Sequence, residues 1–162
     1  MDSSWSGWRG RRVADLRELY QETILDHNKR PRNFHEIPDA DATAVGHNPL
    51  CGDRVTVYLR LVDDKIADVA FVGQGCAISK ASSSLMTDAV KGKSRAQAHE
   101  LFEKFHRMVT DQPGDPFDAQ ALGKLAVLSG VSEFPVRVKC ASLPWHTLEA
   151  ALESKKEIVS LE

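Results

Sequence analysis

The sequence predicts an α+β domain in which a small antiparallel sheet of about three strands packs against four to five helices. Residues 54–62 alternate apolar and polar side chains, as a half-exposed strand does. A second strand pattern follows after the tight turn Asp63–Asp64 and completes a hairpin over 54–73. Before and after this hairpin, apolar residues recur at helical spacing. A block of strands flanked by helices is typical of the α+β class.

The first predicted helix spans about 13–28, where apolar residues recur at helical spacing until Pro31 stops the pattern. His27, near the end of this helix, is interpreted as a surface cap and not as a ligand. A short strand is predicted at 43–45, ahead of the hairpin.

Helices are predicted for most of the chain after the hairpin. One begins after Cys76 and ends at Gly92, and the next is opened by a capping box formed by Ser94 and Gln97. A loop covers 111–116, and a short helix ends at Gly130. The last helical region begins near Pro135, a first-turn position, and we expect Pro144 to interrupt it.

Length and composition indicate one globular domain. The chain has 162 residues, of which 42% are apolar and 27% charged. We expect a single domain over 13–155, a flexible N-terminal extension over 1–12 that contains Trp5 and Trp8, and a charged C-terminal tail over 156–162.

The charge balance and the start of the chain exclude several classes of function. A net charge of -2 provides no general field that attracts nucleic acid. The first fifteen residues lack the apolar core of a signal peptide, and no stretch is long enough to span a membrane. We therefore expect a cytoplasmic protein with no nucleic-acid or membrane partner.

Three widely separated cysteines, Cys51, Cys76 and Cys140, are the residues best suited to chemistry. An odd number of cysteines argues against a disulfide framework and favours metal or thiol chemistry in a reducing compartment. Any one of them alone could be a buried structural cysteine. Each, however, stands beside glycine, proline or charged residues and not inside an apolar run.

The predicted hairpin brings some of these residues together. Pairing Leu61 with Ile66 places Asp53 near residue 74, and therefore near Cys76. Three thiolates and one carboxylate suit zinc in a tetrahedral site, or iron in a cluster. If the segment around Cys140 is helical, Arg137 lies on the same helical face and could offset the negative charge of the site; the alternative is a solvated surface cation.

Several separated motifs resemble the IscU/NifU-N superfamily, and within it the SufU type. The resemblance runs from about residue 14 to residue 153. It is carried by the segments Ile24-Leu25-Asp26-His27, Asn48-Pro49-Leu50-Cys51-Gly52-Asp53, Gly73-Gln74-Gly75-Cys76 and Arg137-Val138-Lys139-Cys140. IscU scaffolds have histidine immediately before the third cysteine, where this chain has Lys139, and a shorter connection between the second and third cysteines. Both differences favour the SufU type.

This resemblance implies an IscU/SufE-like fold and a function. It implies a zinc ion held by Cys51, Asp53, Cys76 and Cys140. Cys51 is then the thiol that leaves the zinc to accept sulfur, and Arg137 assists. The implied partners are a PLP-dependent cysteine desulfurase of the SufS type and downstream iron–sulfur scaffold proteins. The alternatives are an IscU-type scaffold on which a transient iron–sulfur cluster is built and a purely structural zinc module.

Overall fold

The computed structural model describes residues 18–111, 116–153 and 159–160. The predicted N-terminal extension, with Trp5 and Trp8, lies outside the described residues, as do the first residues predicted for the opening helix.

The sheet contains three antiparallel strands and one short parallel strand. The strands are β1 (Ala42–Asn48), β2 (Asp53–Val62), β3 (Lys65–Gln74) and β4 (Val159–Ser160). Their order across the sheet is β3-β2-β1-β4. The predicted antiparallel core is confirmed. The fourth strand differs from expectation, since two residues of the predicted tail pair in parallel with Gly46 and His47 of β1.

The hairpin register differs by one residue at the site end. Leu61 pairs with Ile66 as predicted, but a bulge between Arg60 and Leu61 shifts the remaining pairs. Arg54, and not Asp53, therefore lies opposite Gln74. The extra residue is Ala67 on β3, and it changes the spacing of the buried residues from two, between Val69 and Phe71, to three, between Ile66 and Val69. The predicted register assumed uninterrupted pairing and therefore missed it. The shift moves Asp53 one position closer to Cys76 than the sequence predicts.

Helices pack against this sheet. They are α1 (residues 18–29), α2 (Ala77–Val90), α3 (Arg95–Thr110), α4 (Ala119–Leu122), which continues as a 3₁₀ helix (Gly123–Glu133), and α5 (Pro135–Leu152). The predicted capping box opens α3, since Ser94 Oγ accepts from Gln97 N at 3.1 Å and Gln97 Oε1 accepts from Ser94 N at 3.0 Å. Within the described ranges, no helix has the length and apolar character that crossing a bilayer requires.

The core lies between the sheet and α5. Val57 and Leu59 of β2 are fully buried, and so are Trp145 and Leu148 of α5. Trp145 stacks on Phe105 of α3 with ring centroids 4.7 Å apart. Glycine at position 46 lets α5 approach β1 closely, because a Cβ there would collide with the side chains of Thr147 and Leu143. The core thus fixes α5, and Cys140 with it, against the sheet.

Three local predictions need correction. The segment after α4 is 3₁₀ and not α-helical, which fits buried residues at a spacing of three: Leu122, Leu125, Leu128 and Val131. Helix α5 continues through Pro144, since packing on the sheet outweighs the missing N–H. His27 is buried and its Nδ1 lies 2.7 Å from Ser84 Oγ, so it anchors α1 to α2 and is not a surface cap.

Candidate metal centre

The turn between β1 and β2 carries Cys51. Asn48, the last residue of β1, is fully buried, and its backbone oxygen accepts from Cys51 N at 3.3 Å and from Gly52 N at 2.8 Å. Gly52 has a φ of 74°, a left-handed conformation that favours glycine. The turn therefore has a defined shape, and it presents Cys51 as an exposed residue.

Asp53 and Cys76 meet at the other side of this turn. Asp53 begins β2 and is buried, and its Oδ1 accepts from Cys76 N at 3.0 Å. Cys76 is the N-cap of α2, and its Sγ accepts from Ser79 N at 3.4 Å. The same Sγ lies 3.9 Å from Asp53 Oδ2. A carboxylate and a thiol predicted to be neighbours are therefore neighbours in the structure.

Cys140 lies on a different element, helix α5. It is buried, and its Sγ lies 3.4 Å from Cys51 Sγ, although 89 positions separate the two residues in the chain. One ligand atom from each of Cys51, Asp53 and Cys140 lies within 4.8 Å of the other two. The Cys76 thiol is outside this mutual group and touches it through Asp53.

The donor set fits a thiophilic cation. Zinc–sulfur bonds of about 2.3 Å in a tetrahedron place two sulfur atoms roughly 3.8 Å apart, close to the observed thiol spacing. Burial raises the pKa of the Cys140 thiol, and its contacts with Cys51 and Asp53 and the negative charges of Cys76 and Asp53 raise it further. The protein alone thus disfavours the Cys140 thiolate, and a bound cation would supply the missing positive charge.

Gly75 leaves room for the Asp53 carboxylate. A Cβ at position 75 would lie 2.6 Å from Asp53 Oδ1 and 3.0 Å from Asp53 Cγ. We expect Gly75→Ala to displace the carboxylate and lower the metal content of the purified protein, measured by elemental analysis. Gly130→Ala is the matched control, because a Cβ at position 130 meets nothing within 4 Å. Equal metal content in both variants would show that the site tolerates a shifted Asp53.

Arg137 contacts an aromatic ring, and not a cysteine or Asp53, within the part of the chain that the structure describes. It lies one turn before Cys140 on α5, as predicted, but its side chain is exposed and its guanidinium lies over the Phe134 ring, 5.7 Å from the ring centroid. The structure therefore brings Cys51, Asp53 and Cys140 together and adds Cys76 through Asp53, whereas the side chain of Arg137 lies over Phe134.

Asn48 is a residue of this site to which the sequence assigned no role. Its side-chain Nδ2 donates to Cys51 Sγ at 3.1 Å, and its Oδ1 accepts from Leu50 N at 3.1 Å. An asparagine before proline is a recognisable turn signal, because its side chain bonds the backbone two residues on. That signal predicts the turn but not the contact with sulfur.

The NifU-like N-terminal domain, a family defined by sequence, matches residues 19–141 of this chain. The chain belongs to this family. The match covers β1–β3, α2 and α3 and ends just after Cys140, so it includes all three cysteines and Asp53.

Two relatives with different names have the same sequence identity to this chain. The iron–sulfur cluster assembly scaffold protein IscU of Streptococcus pyogenes serotype M1 is 40% identical over 141 residues, 87% of this chain and 87% of that protein. The zinc-dependent sulfurtransferase SufU of Bacillus subtilis strain 168 is 40% identical over 143 residues, 88% of this chain and 95% of that protein.

A solved structure that is similar to this chain supports the fold. The crystal structure of FiSufU, described as an iron–sulfur cluster assembly scaffold protein for the SUF system of thermophilic Fervidobacterium islandicum AW-1, superposes with a TM-score of 0.76 and 40% sequence identity. The match covers 81% of this chain and 94% of that chain. The predicted α+β fold of the IscU and NifU-N type is therefore confirmed.

Proposed function

We propose that this protein is a zinc-dependent sulfurtransferase that accepts persulfide sulfur from a cysteine desulfurase of the SufS type for iron–sulfur cluster assembly. The observation that supports this proposal is the asymmetry of the thiol cluster. Cys51 is on an exposed turn, whereas Cys140, 3.4 Å away, is buried in α5. Of this pair, Cys51 can thus reach a partner protein while Cys140 remains anchored; Cys76 is also exposed, but its sulfur accepts from Ser79 N as the N-cap of α2. The relative named zinc-dependent sulfurtransferase, at 40% identity, agrees with this function.

Four residues would hold the zinc ion in this proposal: Cys51, Asp53, Cys76 and Cys140. When bound, zinc would keep the thiols deprotonated and neutralise part of their charge. Asp53 is fixed by the N–H of Cys76, and Cys140 by its helix, so both are held in place before a metal arrives. The Cys76 thiol, now bonded to Ser79 N, would have to turn toward the other three donors.

The sulfur transfer itself is a thiol exchange reaction. The Cys51 thiolate attacks the terminal sulfur of the desulfurase persulfide, and a new sulfur–sulfur bond forms on Cys51. The bond between the two desulfurase sulfur atoms breaks at the same time, and the desulfurase cysteine leaves as a thiolate. No external oxidant or reductant is needed, because the transferred sulfur carries its oxidation state with it.

Exposed apolar side chains beside Cys51 in the chain and at the start of the helix that carries Cys140 suit a protein partner. Leu50, beside Cys51, is 69% exposed, and Phe134 and Val136 at the start of α5 are 53% and 65% exposed. Large apolar residues at the surface mark interaction sites when they occur together near a functional group. We assign the desulfurase-facing surface to these residues and Arg137.

Asp53→Ala and Arg137→Ala are expected to fail differently. Loss of Asp53 removes a ligand and lowers the zinc content, whereas loss of Arg137 leaves zinc bound and weakens sulfur acceptance, because residues beyond the ligands tune a metal site more than they empty it. Zinc is measured by elemental analysis, and sulfur acceptance by the rate at which a cysteine desulfurase turns over with the variant present.

Asp39→Ala and Arg60→Ala are the matched controls. These residues form an exposed ion pair of 2.6 Å, and Arg60 lies at the opposite end of the hairpin from the thiols. Both controls should retain zinc and activity. Full zinc and full activity in Asp53→Ala and Arg137→Ala would exclude these two residues from the site.

A cluster scaffold is the second candidate, since the Streptococcus relative named IscU is as similar as the Bacillus relative named SufU. Thiolate ligands also bind iron–sulfur clusters. Elemental analysis and the visible spectrum of the purified protein distinguish the two functions. A colourless protein with about one zinc per chain supports the sulfurtransferase, whereas a brown protein with iron and sulfide supports the scaffold.

A further inference from the structure

We propose that Asn48 is the positioning residue that holds Cys51 in the metal-facing orientation and so controls when its thiol turns outward. This inference rests on the proposed function of Cys51 as the sulfur-accepting thiol. Asn48 is fully buried at the end of β1 and lies opposite Asp53 in the β1–β2 register. It therefore joins the turn that carries Cys51 to the strand pair that positions Asp53.

The orientation of the Asn48 amide follows from its two partners. Leu50 N can only donate a hydrogen bond, so the amide atom that faces it at 3.1 Å must be the oxygen. The amide nitrogen then faces Cys51 Sγ, also at 3.1 Å. Asn48 thus shapes the turn with one side-chain atom and contacts the sulfur with the other.

Release of the thiol does not require the turn to unfold. The backbone oxygen of Asn48 separately accepts from Cys51 N and Gly52 N, and these bonds fix the main chain of the turn. Rotation of the Cys51 side chain breaks its contacts with Asn48 Nδ2 and Cys140 Sγ, and its bond to a metal where one is bound, but none of these backbone bonds. Asn48 therefore keeps its place while the Cys51 side chain rotates away from it and back.

The alternatives to asparagine at position 48 each lose one part of this arrangement. Aspartate keeps an acceptor for Leu50 N but presents an oxygen to the sulfur. Serine also accepts from the backbone two residues on, but its side chain is too short to reach Cys51 Sγ. These two substitutions remove the donor to sulfur in different ways, one with an added charge and one without.

The test is the alkylation rate of Cys51 relative to Cys76 in the metal-loaded protein, with iodoacetamide as the probe and peptide mass spectrometry as the readout. We expect Asn48→Ser to raise the ratio of the two rates several-fold, because only the Cys51 thiol is freed. We expect Asn48→Asp to raise the ratio less, because its carboxylate places a negative charge beside the sulfur. Asn33→Asp is the matched control. The Asn33 amide also donates to a side chain, Thr87 Oγ1 at 3.0 Å, but it joins the segment after α1 to α2 and makes no bond to a cysteine. Its ratio should equal that of the unmutated protein.

Two results would overturn the proposal. One is an unchanged ratio in both Asn48 variants. The other is a parallel rise for Cys51, Cys76 and the buried Cys140, which is what metal loss or partial unfolding produces. The assay contains no desulfurase, so its outcome is independent of whether Cys51 accepts sulfur. Conversely, a protein that fails to accept sulfur but shows the selective rise would refute the proposed function and leave the role of Asn48 intact.

Discussion

Cys51→Ser is expected to abolish sulfur acceptance while the protein still folds. A serine hydroxyl is not ionised at neutral pH and does not attack a persulfide. Of the remaining thiols, Cys140 is buried, and Cys76 is exposed but its sulfur is engaged as the N-cap of α2. After incubation with a cysteine desulfurase and cysteine, mass spectrometry should find an added sulfur atom on Cys51 of the unmutated protein. The variant should carry no added sulfur and should not stimulate the desulfurase.

Leu50→Ser is the control for this experiment. It introduces the same residue into the same turn but leaves the Cys51 thiol in place, so sulfur should still be found on Cys51. Because Leu50 belongs to the desulfurase-facing surface, we expect the Leu50→Ser protein to need a higher concentration for the same stimulation. A persulfide confined to Cys76 or Cys140, or undiminished stimulation by Cys51→Ser, would contradict the assignment of Cys51.

Removal of zinc by a strong chelator is expected to lower the melting temperature by about 5–10 °C. Zinc present at about 100 times its dissociation constant stabilises the folded state by about 2.7 kcal/mol, and each kcal/mol corresponds to about 2–4 °C in a domain of this size. The physical reason is that the ion would join the β1–β2 turn to α5, two segments far apart in the chain. Differential scanning calorimetry before and after chelation measures the shift.

The Asp53→Ala protein serves as the comparison for the chelation experiment. If zinc acts through this site, a variant that already lacks a ligand should melt lower than the unmutated protein and should respond less to the chelator. Readdition of zinc should restore the melting temperature of the unmutated protein alone. An unchanged melting temperature after complete metal loss, confirmed by elemental analysis, would mean that the ion does not stabilise the fold.

The local elements of this protein could be predicted from its amino-acid sequence. Alternating residues in β2 and the Ser94–Gln97 capping box of α3 depend on neighbours within a few positions, so they are readable without a structure. The three cysteines and Asp53 were also predicted as a donor set from their chemistry and flanking residues, and the structure brings Cys51, Asp53 and Cys140 together. The proximity of Asp53 and Cys76 followed from the hairpin, because antiparallel pairing places the start of β2 beside the end of β3.

The sequence could not give the positions that depend on how α5 packs. The 3.4 Å contact between Cys51 and Cys140 exists because Gly46 allows α5 to lie close on β1 and because Trp145 anchors that helix against Phe105. The same packing keeps α5 continuous at Pro144. Buried His27 is a further example, since its partner Ser84 lies 57 residues away in the chain.

Side-chain direction inside the site was likewise decided by tertiary structure. The amide of Asn48 faces the sulfur of Cys51, the thiol of Cys76 faces Ser79 N, and the guanidinium of Arg137 lies over Phe134. Spacing along the chain places each of these residues at or near a cysteine in sequence, but it does not predict which atom its side chain contacts. That choice depends on which donors and acceptors lie within reach once the backbone has folded, and it cannot be read from residue type and spacing alone.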